Sequence, residues 1–374
     1  MIDIERMRSY FPVTQRWVYL NHAGVSPLSI RVRDAMCGLV DDVVWNGAMN
    51  SRTWDRTVRA TRQLAADLIG AEPDEIAFVK NTTEGLSFVA NGVDWRVGDN
   101  VVTVSREFPA NVYPWLALRD RGVETRFVEE RDYRIALRDI AEAVDDRTRV
   151  VSLSSVEFAS GFRNDLDAVG ELCAKRGILF VVDGIQSLGA LRMDVRRSRI
   201  HALSADAHKW LLGPEGCGFF YCSREAMERI RVHEVGWLSV VNASDYLNYD
   251  LMLRPDAGRF ECGTGSTIGI YGLKAALELI FEVGMEVIEA RVLALTDVLC
   301  ERLKRKGYRV LSSRSEREKS GIVIFAADPY DNRTLCRRLR EQRIITVPRG
   351  VGVRVSPHYY NTEEELEQLV AALP

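Results

Sequence analysis

The sequence predicts an α/β protein: a mainly parallel sheet with helices on both faces, followed by a smaller α/β unit. Three observations carry that reading. Between about residues 75 and 222, short apolar runs alternate with amphipathic stretches, the pattern of strand-helix-strand repeats. One run, Ile178-Leu179-Phe180-Val181-Val182, is apolar throughout and stops at Asp183-Gly184. A strand buried on both faces of a parallel sheet reads this way, with the carboxylate at its carboxyl end. After about residue 235 the texture changes to glycine- and proline-bearing loops, marked by Gly236, Pro255, Gly258, Gly263 and Gly265.

The elements follow in order. Strands are expected at 75–79, 100–104, 124–128, 149–154, 179–182 and 202–205, and another at 216–222. Helices are expected at 84–93, near 112–121, at 167–176 and at 225–232. Two long helical patterns run from about 270 to 283 and from about 285 to 306. Strands at 321–325 and 344–347 flank a helix at 332–342, and the chain closes with a strand at 352–356 and a helix at 362–373. The division expected is a large domain over 15–255, with 1–14 and 256–374 forming the small one.

Composition narrows the class. Hydrophobic residues make up 47% and charged residues 28% of the 374, and the net charge of -3 provides no field to gather nucleic acid. Seven cysteines form no CxxC pair, and five histidines show no metal-ligand spacing. No metal is therefore expected, and the thiols fit a reducing compartment. The first residues lack the apolar core of a signal peptide, and no run of about 18 apolar residues exists. The expected location is the cytoplasm, away from membranes.

The chemistry concentrates at the ends of the strands, where ligands of open α/β sheets sit. Asp183 ends one strand. A neighbouring run, Ala202-Leu203-Ser204-Ala205, leads to Ala207-His208-Lys209-Trp210-Leu211-Leu212. A carboxylate and a lysine then face one crevice. Pyridoxal phosphate needs both: an amine to carry it and an acid to keep its pyridine nitrogen protonated. Apolar flanks lower the proton affinity of Lys209, which suits a nucleophile and base. Lys80-Asn81-Thr82-Thr83-Glu84-Gly85 lies between a strand and a helix, where hydroxyls and free N–H groups hold a phosphate. The same residues also read as an ordinary helix cap. Gly263-Thr264-Gly265-Ser266-Thr267-Ile268-Gly269 imitates a dinucleotide fingerprint, but its last glycine comes one residue late.

These motifs, taken in order, resemble the class V aminotransferase-like enzymes. The residues that carry the resemblance are Tyr19 to Gly24, Asn81-Thr82-Thr83-Glu84-Gly85, Asp183-Gly184-Ile185-Gln186, His208-Lys209, Arg259 to Thr264, and Arg354-Val355-Ser356 through Tyr360-Asn361-Thr362. The family includes cysteine desulfurases, kynureninases, isopenicillin N epimerase and several aminotransferases. The resemblance implies the type I fold of pyridoxal-phosphate enzymes, with a mainly parallel seven-stranded sheet. It implies that Lys209 carries the cofactor, that Asp183 pairs with the pyridine nitrogen and that Gln186 bonds the ring 3-oxygen. It places Thr83, the backbone near Thr82, and His208 on the phosphate, and Phe108 on the ring. It sets Thr264 against a partner subunit's phosphate, hence a homodimer with shared sites. Arg354 falls where an arginine grips the α-carboxylate of an amino-acid substrate, and Asn21, His22 and Ala23 fall in the substrate-facing opening segment.

The departures bear on the reaction. Where desulfurases of the family carry a histidine over the ring, this chain has Phe108, and where they carry an asparagine it has Phe158. Their persulfide-forming cysteine sits on a long loop; here Thr346 to Val353 is short and has none. The reaction expected is transfer of an amino group. C–S cleavage, epimerisation, and a catalytically idle binding role stand as alternatives. Asp206 occupies a position where a hydroxyl residue often helps to hold phosphate, and charge repulsion predicts that its carboxylate points elsewhere.

Overall fold

The computed structural model describes residues 2–374. The large sheet has seven strands. Across it they run Ile76–Val79, Gly218–Cys222, Ala202–Asp206, Leu179–Asp183, Thr148–Ser154, Asn100–Val104 and Glu124–Val128. All neighbours are parallel except Gly218–Cys222, which runs against both Ile76–Val79 and Ala202–Asp206. Every residue of Leu179–Asp183 is buried, as its unbroken apolar run requires of a central strand. Register places Ser154 beside Asp183, and Asp183 beside Ser204, so these residues share the carboxyl edge.

Close approach is bought with glycine at two places. A Cβ on Gly85 would lie 2.4 Å from Ser204 Oγ and 2.8 Å from the Phe220 ring, so the helix Thr82–Gly92 sits down hard on the sheet. Gly189 has φ 95, and a Cβ there would lie 2.2 Å from the Trp210 carbonyl. The loop after Asp183 is thereby pressed against the segment that bears Lys209.

A second, smaller sheet orders Val347–Arg349, Gly352–Val355 and Val323–Ala326, all antiparallel. Its core, with Leu295, Leu299, Leu335, Leu339, Val353, Val355, Leu366 and Leu369, also takes in Leu20 from the opening segment. The helix Thr267–Val283 packs elsewhere, on Ile30–Asn46 and Ser51–Ile69, and its Ile270, Leu273 and Leu277 join the core of the large sheet. Ile288 and Val292 of the next helix join that same core.

Local differences from the sequence reading have local causes. The helix expected near 112–121 is a single turn, Tyr113–Leu116, continued by the 3-10 turn Ala117–Arg121 and ended by Gly122 at φ 76. Pro114 fits a first turn but supplies no N–H for continuation. The strand expected over 344–347 is two: Ile344–Ile345 pairs with Val18–Tyr19, and Val347–Arg349 turns back on Gly352–Val355. No described helix is long and apolar enough to cross a membrane.

Candidate active site

The carboxyl edge of the sheet opens on a cavity of about 360 Å³, lined by both domains' residues. It brings together Ala23, Thr82, Thr83, Phe108, Asp183, Gln186, His208, Lys209 and Arg354, nine of the residues expected at the site. A larger cleft of about 570 Å³ lies elsewhere, and three of its arginines are committed: Arg197 pairs with Asp167 at 3.1 Å, and Arg163 and Arg192 pair with Glu289 at 3.0 and 2.7 Å.

Asp183 is buried at the strand end. One carboxylate oxygen accepts the Ile185 N–H at 3.0 Å; the other accepts no hydrogen bond from the described residues. Burial pushes its pKa up to about 6, against the pull of the Ile185 N–H and of Lys209. Lys209 is buried opposite, with Nζ 5.3 Å from the Phe108 ring centroid. Burial lowers its amine to about 8; Asp183 opposes this, and Arg354 and Arg349 add to it. The turn that presents Lys209 is tight: Leu212 N–H donates to the Lys209 carbonyl at 3.0 Å, and Leu212 adopts φ 60, a conformation costly for a branched side chain.

Gln186 is fixed at both ends of its amide. Its Nε2 donates to the Ala23 carbonyl at 3.1 Å, and its Oε1 accepts the Trp210 indole N–H at 3.0 Å. One N–H of the amide remains for a ligand. Phe108 stands over the cavity, edge-on to Phe158 at 5.3 Å. Glu107 anchors its backbone: one oxygen accepts the Ser154 N–H at 2.5 Å, the other the Ser154 hydroxyl at 2.6 Å and the Phe108 N–H at 3.2 Å. Burial drives the Glu107 pKa up to about 8. Sequence reasoning gave Glu107 no role, because its importance lies in contacts across the sheet.

At the other end, Asn81 caps the helix Thr82–Gly92 by accepting the Glu84 N–H at 3.0 Å, and Glu84 folds back onto Lys80 at 2.7 Å. The first backbone N–H groups of that helix are left facing the cavity. Thr82 Oγ1 accepts the Asp206 N–H at 3.1 Å, leaving its own proton to donate. Asp206 does not turn away as repulsion predicted. It lines the cavity, accepts the Ala207 N–H at 3.0 Å, and stands 3.2 Å from His208 Nδ1, which has no aligned hydrogen bond. The His208 ring therefore stands between that carboxylate and the open space of the cavity's phosphate end.

Arg354 is 1% exposed and has no carboxylate partner among the described residues. Its guanidinium donates to the Phe158 carbonyl and to Asn21 Oδ1, each at 3.3 Å, while Nε is buried without a partner. Burial, helped by Arg349, lowers it to about 9. Asn21 therefore meets the cavity only through Arg354. His22 needs correction as a substrate-facing residue: its ring nitrogens are held by the Ser356 carbonyl at 2.8 Å and the Tyr360 hydroxyl at 2.6 Å, and it does not line the cavity. Thr264 is exposed and outside this cavity. Arg349 also lines the cavity, a residue to which the sequence assigns no role because only strand pairing turns it inward. No cysteine lines it: Cys173 and Cys217 are pushed up to about 12 and Cys300 to about 11 by burial, while Cys37 and Cys262 are exposed elsewhere.

The donors present fit pyridoxal phosphate. An uncommitted oxygen on a buried aspartate suits the pyridine nitrogen, a buried amine suits the aldehyde, and a helix N-terminus with Thr82 and His208 suits the phosphate. Comparison with known proteins agrees. The Aminotransferase class-V family model matches residues 18–369, and the chain belongs to that family of enzymes. A probable cysteine desulfurase of Methanothermobacter thermautotrophicus is 30% identical, the match covering 98% of this chain and 96% of that protein. An uncharacterized aminotransferase of Bacillus subtilis is 26% identical over 98% of this chain and 96% of its own length. The cystine C–S lyase C-DES, solved with its product cysteine persulfide, superposes with a TM-score of 0.91 at 25% identity, covering 97% of this chain and 98% of that one. A mutant of C-DES was solved with glycine covalently linked to its pyridoxal-phosphate cofactor.

Proposed function

We propose that the protein is a pyridoxal-phosphate-dependent aminotransferase acting on an amino acid, with Lys209 and Asp183 as its catalytic residues. The observation that carries the reading is the shared cavity of a buried amine, a buried carboxylate with one uncommitted oxygen, and a buried arginine without an acid. When bound, the cofactor supplies an electron-accepting pyridine ring. Asp183 holds a proton at the ring nitrogen, and it does so as a carboxylate because a cation beside it reverses the upward push of burial. Lys209 holds the cofactor and moves the proton at the substrate Cα; an amine near pKa 8 gives and takes protons close to neutral pH. Arg354 binds the α-carboxylate, its fork recovering the hydrogen bonds that burial denies it. Thr82, Thr83 and His208 hold the phosphate, Gln186 bonds the ring oxygen, and Phe108 covers the ring and excludes water.

Transfer is favoured over protein-persulfide chemistry because no thiol reaches the cavity. A C–S lyase is the second reading, favoured by the likeness to C-DES along nearly the whole chain. Incubation with L-cysteine, L-cystine and a panel of amino acids with 2-oxo acid acceptors separates them. Transfer gives a new amino acid from the acceptor, whereas lysis gives pyruvate with sulfide or persulfide. Absence of any new amino acid across the panel would overturn the aminotransferase reading.

A further inference from the structure

Resting on that reading, we infer that the substrate carries a second anion on its side chain, and that Arg349 is the residue that binds it. The cavity holds two arginines where the α-carboxylate of an amino acid needs one. Their placement follows from the hairpin register. Val347 lies opposite Arg354, and Arg349 lies two residues beyond Val347, so both side chains leave the same face of the small three-stranded sheet. The alternate face, with Val353 and Val355, is buried in the core of the small domain. The arginine face is turned to the cavity.

Neither arginine is paired with an acid among the described residues, although the chain has 53 aspartates and glutamates to 50 lysines and arginines, and Arg62, Arg163 and Arg192 each pair with a glutamate. Arg349 is half-buried; its Nε is buried without a partner, its Nη1 reaches only the Pro348 carbonyl at 3.2 Å, and its guanidinium carbon lies 5.9 Å from the Phe158 ring centroid. Like-charged groups, Lys209 included, have been drawn together and partly desolvated. That arrangement costs free energy in the free protein and is offset when anions arrive. Neither carboxylate of the cavity pairs with Arg349: Asp183 keeps its uncommitted oxygen for the pyridine nitrogen, and Asp206 lies 3.2 Å from His208. A monoanionic side chain, such as a carboxylate or sulfinate, completes the site; a neutral one leaves Arg349 unpaired.

The test uses the pyridoxal-phosphate-loaded protein and non-reacting acids, with binding read by calorimetry at fixed ionic strength. Succinate and glutarate are compared with propionate and butyrate. The expected result is that one diacid binds at least ~10-fold more tightly than its monoacid, that Arg349→Gln removes this preference while leaving the monoacid affinity within about twofold, and that Arg349→Lys retains part of it. Equal affinity for monoacids and diacids in the unmodified protein would overturn the inference, as would an equal loss for both classes in Arg349→Gln. Unchanged monoacid binding in Arg354→Gln would instead overturn the assignment of Arg354 to the α-carboxylate, a separate failure.

Discussion

The Lys209 amine should titrate near pH 8, far below an exposed lysine. The perturbation is pH itself, applied to protein freed of cofactor. From the ordinary 10.5 to about 8, the neutral amine is favoured by about 3 kcal/mol. At pH 7 about 9% of Lys209 is then neutral, about 300-fold more than for a lysine in water. Burial is the main cause, and Arg354 and Arg349 add to it, so Arg354→Gln and Arg349→Gln should each move the midpoint upward. Asp183 pulls the other way, so Asp183→Asn should move it downward. Competitive labelling with trace acetic anhydride between pH 6 and pH 11, followed by peptide mass spectrometry, reads the midpoint against the exposed Lys175, which is paired only with Glu171. A Lys209 that labels in step with Lys175 would refute the reasoning, because the burial that defines the site would then not act on the amine.

Further outcomes follow from the same geometry. Asp183→Asn should slow exchange of a substrate α-proton by ~100-fold or more, measured by loss of deuterium, since the electron sink loses its proton. Arg354→Gln should weaken every substrate with a free α-carboxylate by about 30-fold or more, seen in kcat/KM, as expected when a buried charge loses its partner. Stability should fall as pH rises from about 4.5 to about 8, because folded Glu107 keeps a proton that the unfolded chain releases; Glu107→Gln should remove up to about 1.4 kcal/mol per pH unit of that fall in urea titrations. Trp45, Met49, Tyr246, Leu247, Tyr249 and Leu251 are exposed, so the chain should sediment at twice its own mass, and Thr264→Ala should weaken cofactor binding without altering the dimer.

The sheet was legible where burial constrains both faces. Asn100–Val104, buried throughout, stands at its expected bounds, and Leu179–Asp183 differs only by including the carboxylate; the edge strand Glu124–Val128 also stands at its expected bounds, although only Val128 is buried. The helices Ile30–Asn46 and Ser51–Ile69 were not legible: the first buries only Val32 and Leu39 and exposes Val43, Val44 and Trp45, so no apolar stripe marks its inner side. At the site, residues fixed by a strand end or a helix start were legible, as Asp183, Thr82 and Lys209 show. Those whose direction depends on partners distant in sequence were not. His22 sits in the right segment, but its ring is claimed by Ser356 and Tyr360. Arg349 shares a face with Arg354 only through the pairing of two short strands. Asp206 remains in the cavity because His208 stands beside it, which repulsion from a phosphate alone does not reveal.

The most direct test of the account loads the protein with pyridoxal phosphate, reduces it with borohydride and maps the adduct by peptide mass spectrometry. The account predicts a yellow protein whose absorption band is lost on reduction, with one pyridoxyl group per chain on Lys209. An adduct on any other lysine, or none after loading, would contradict it.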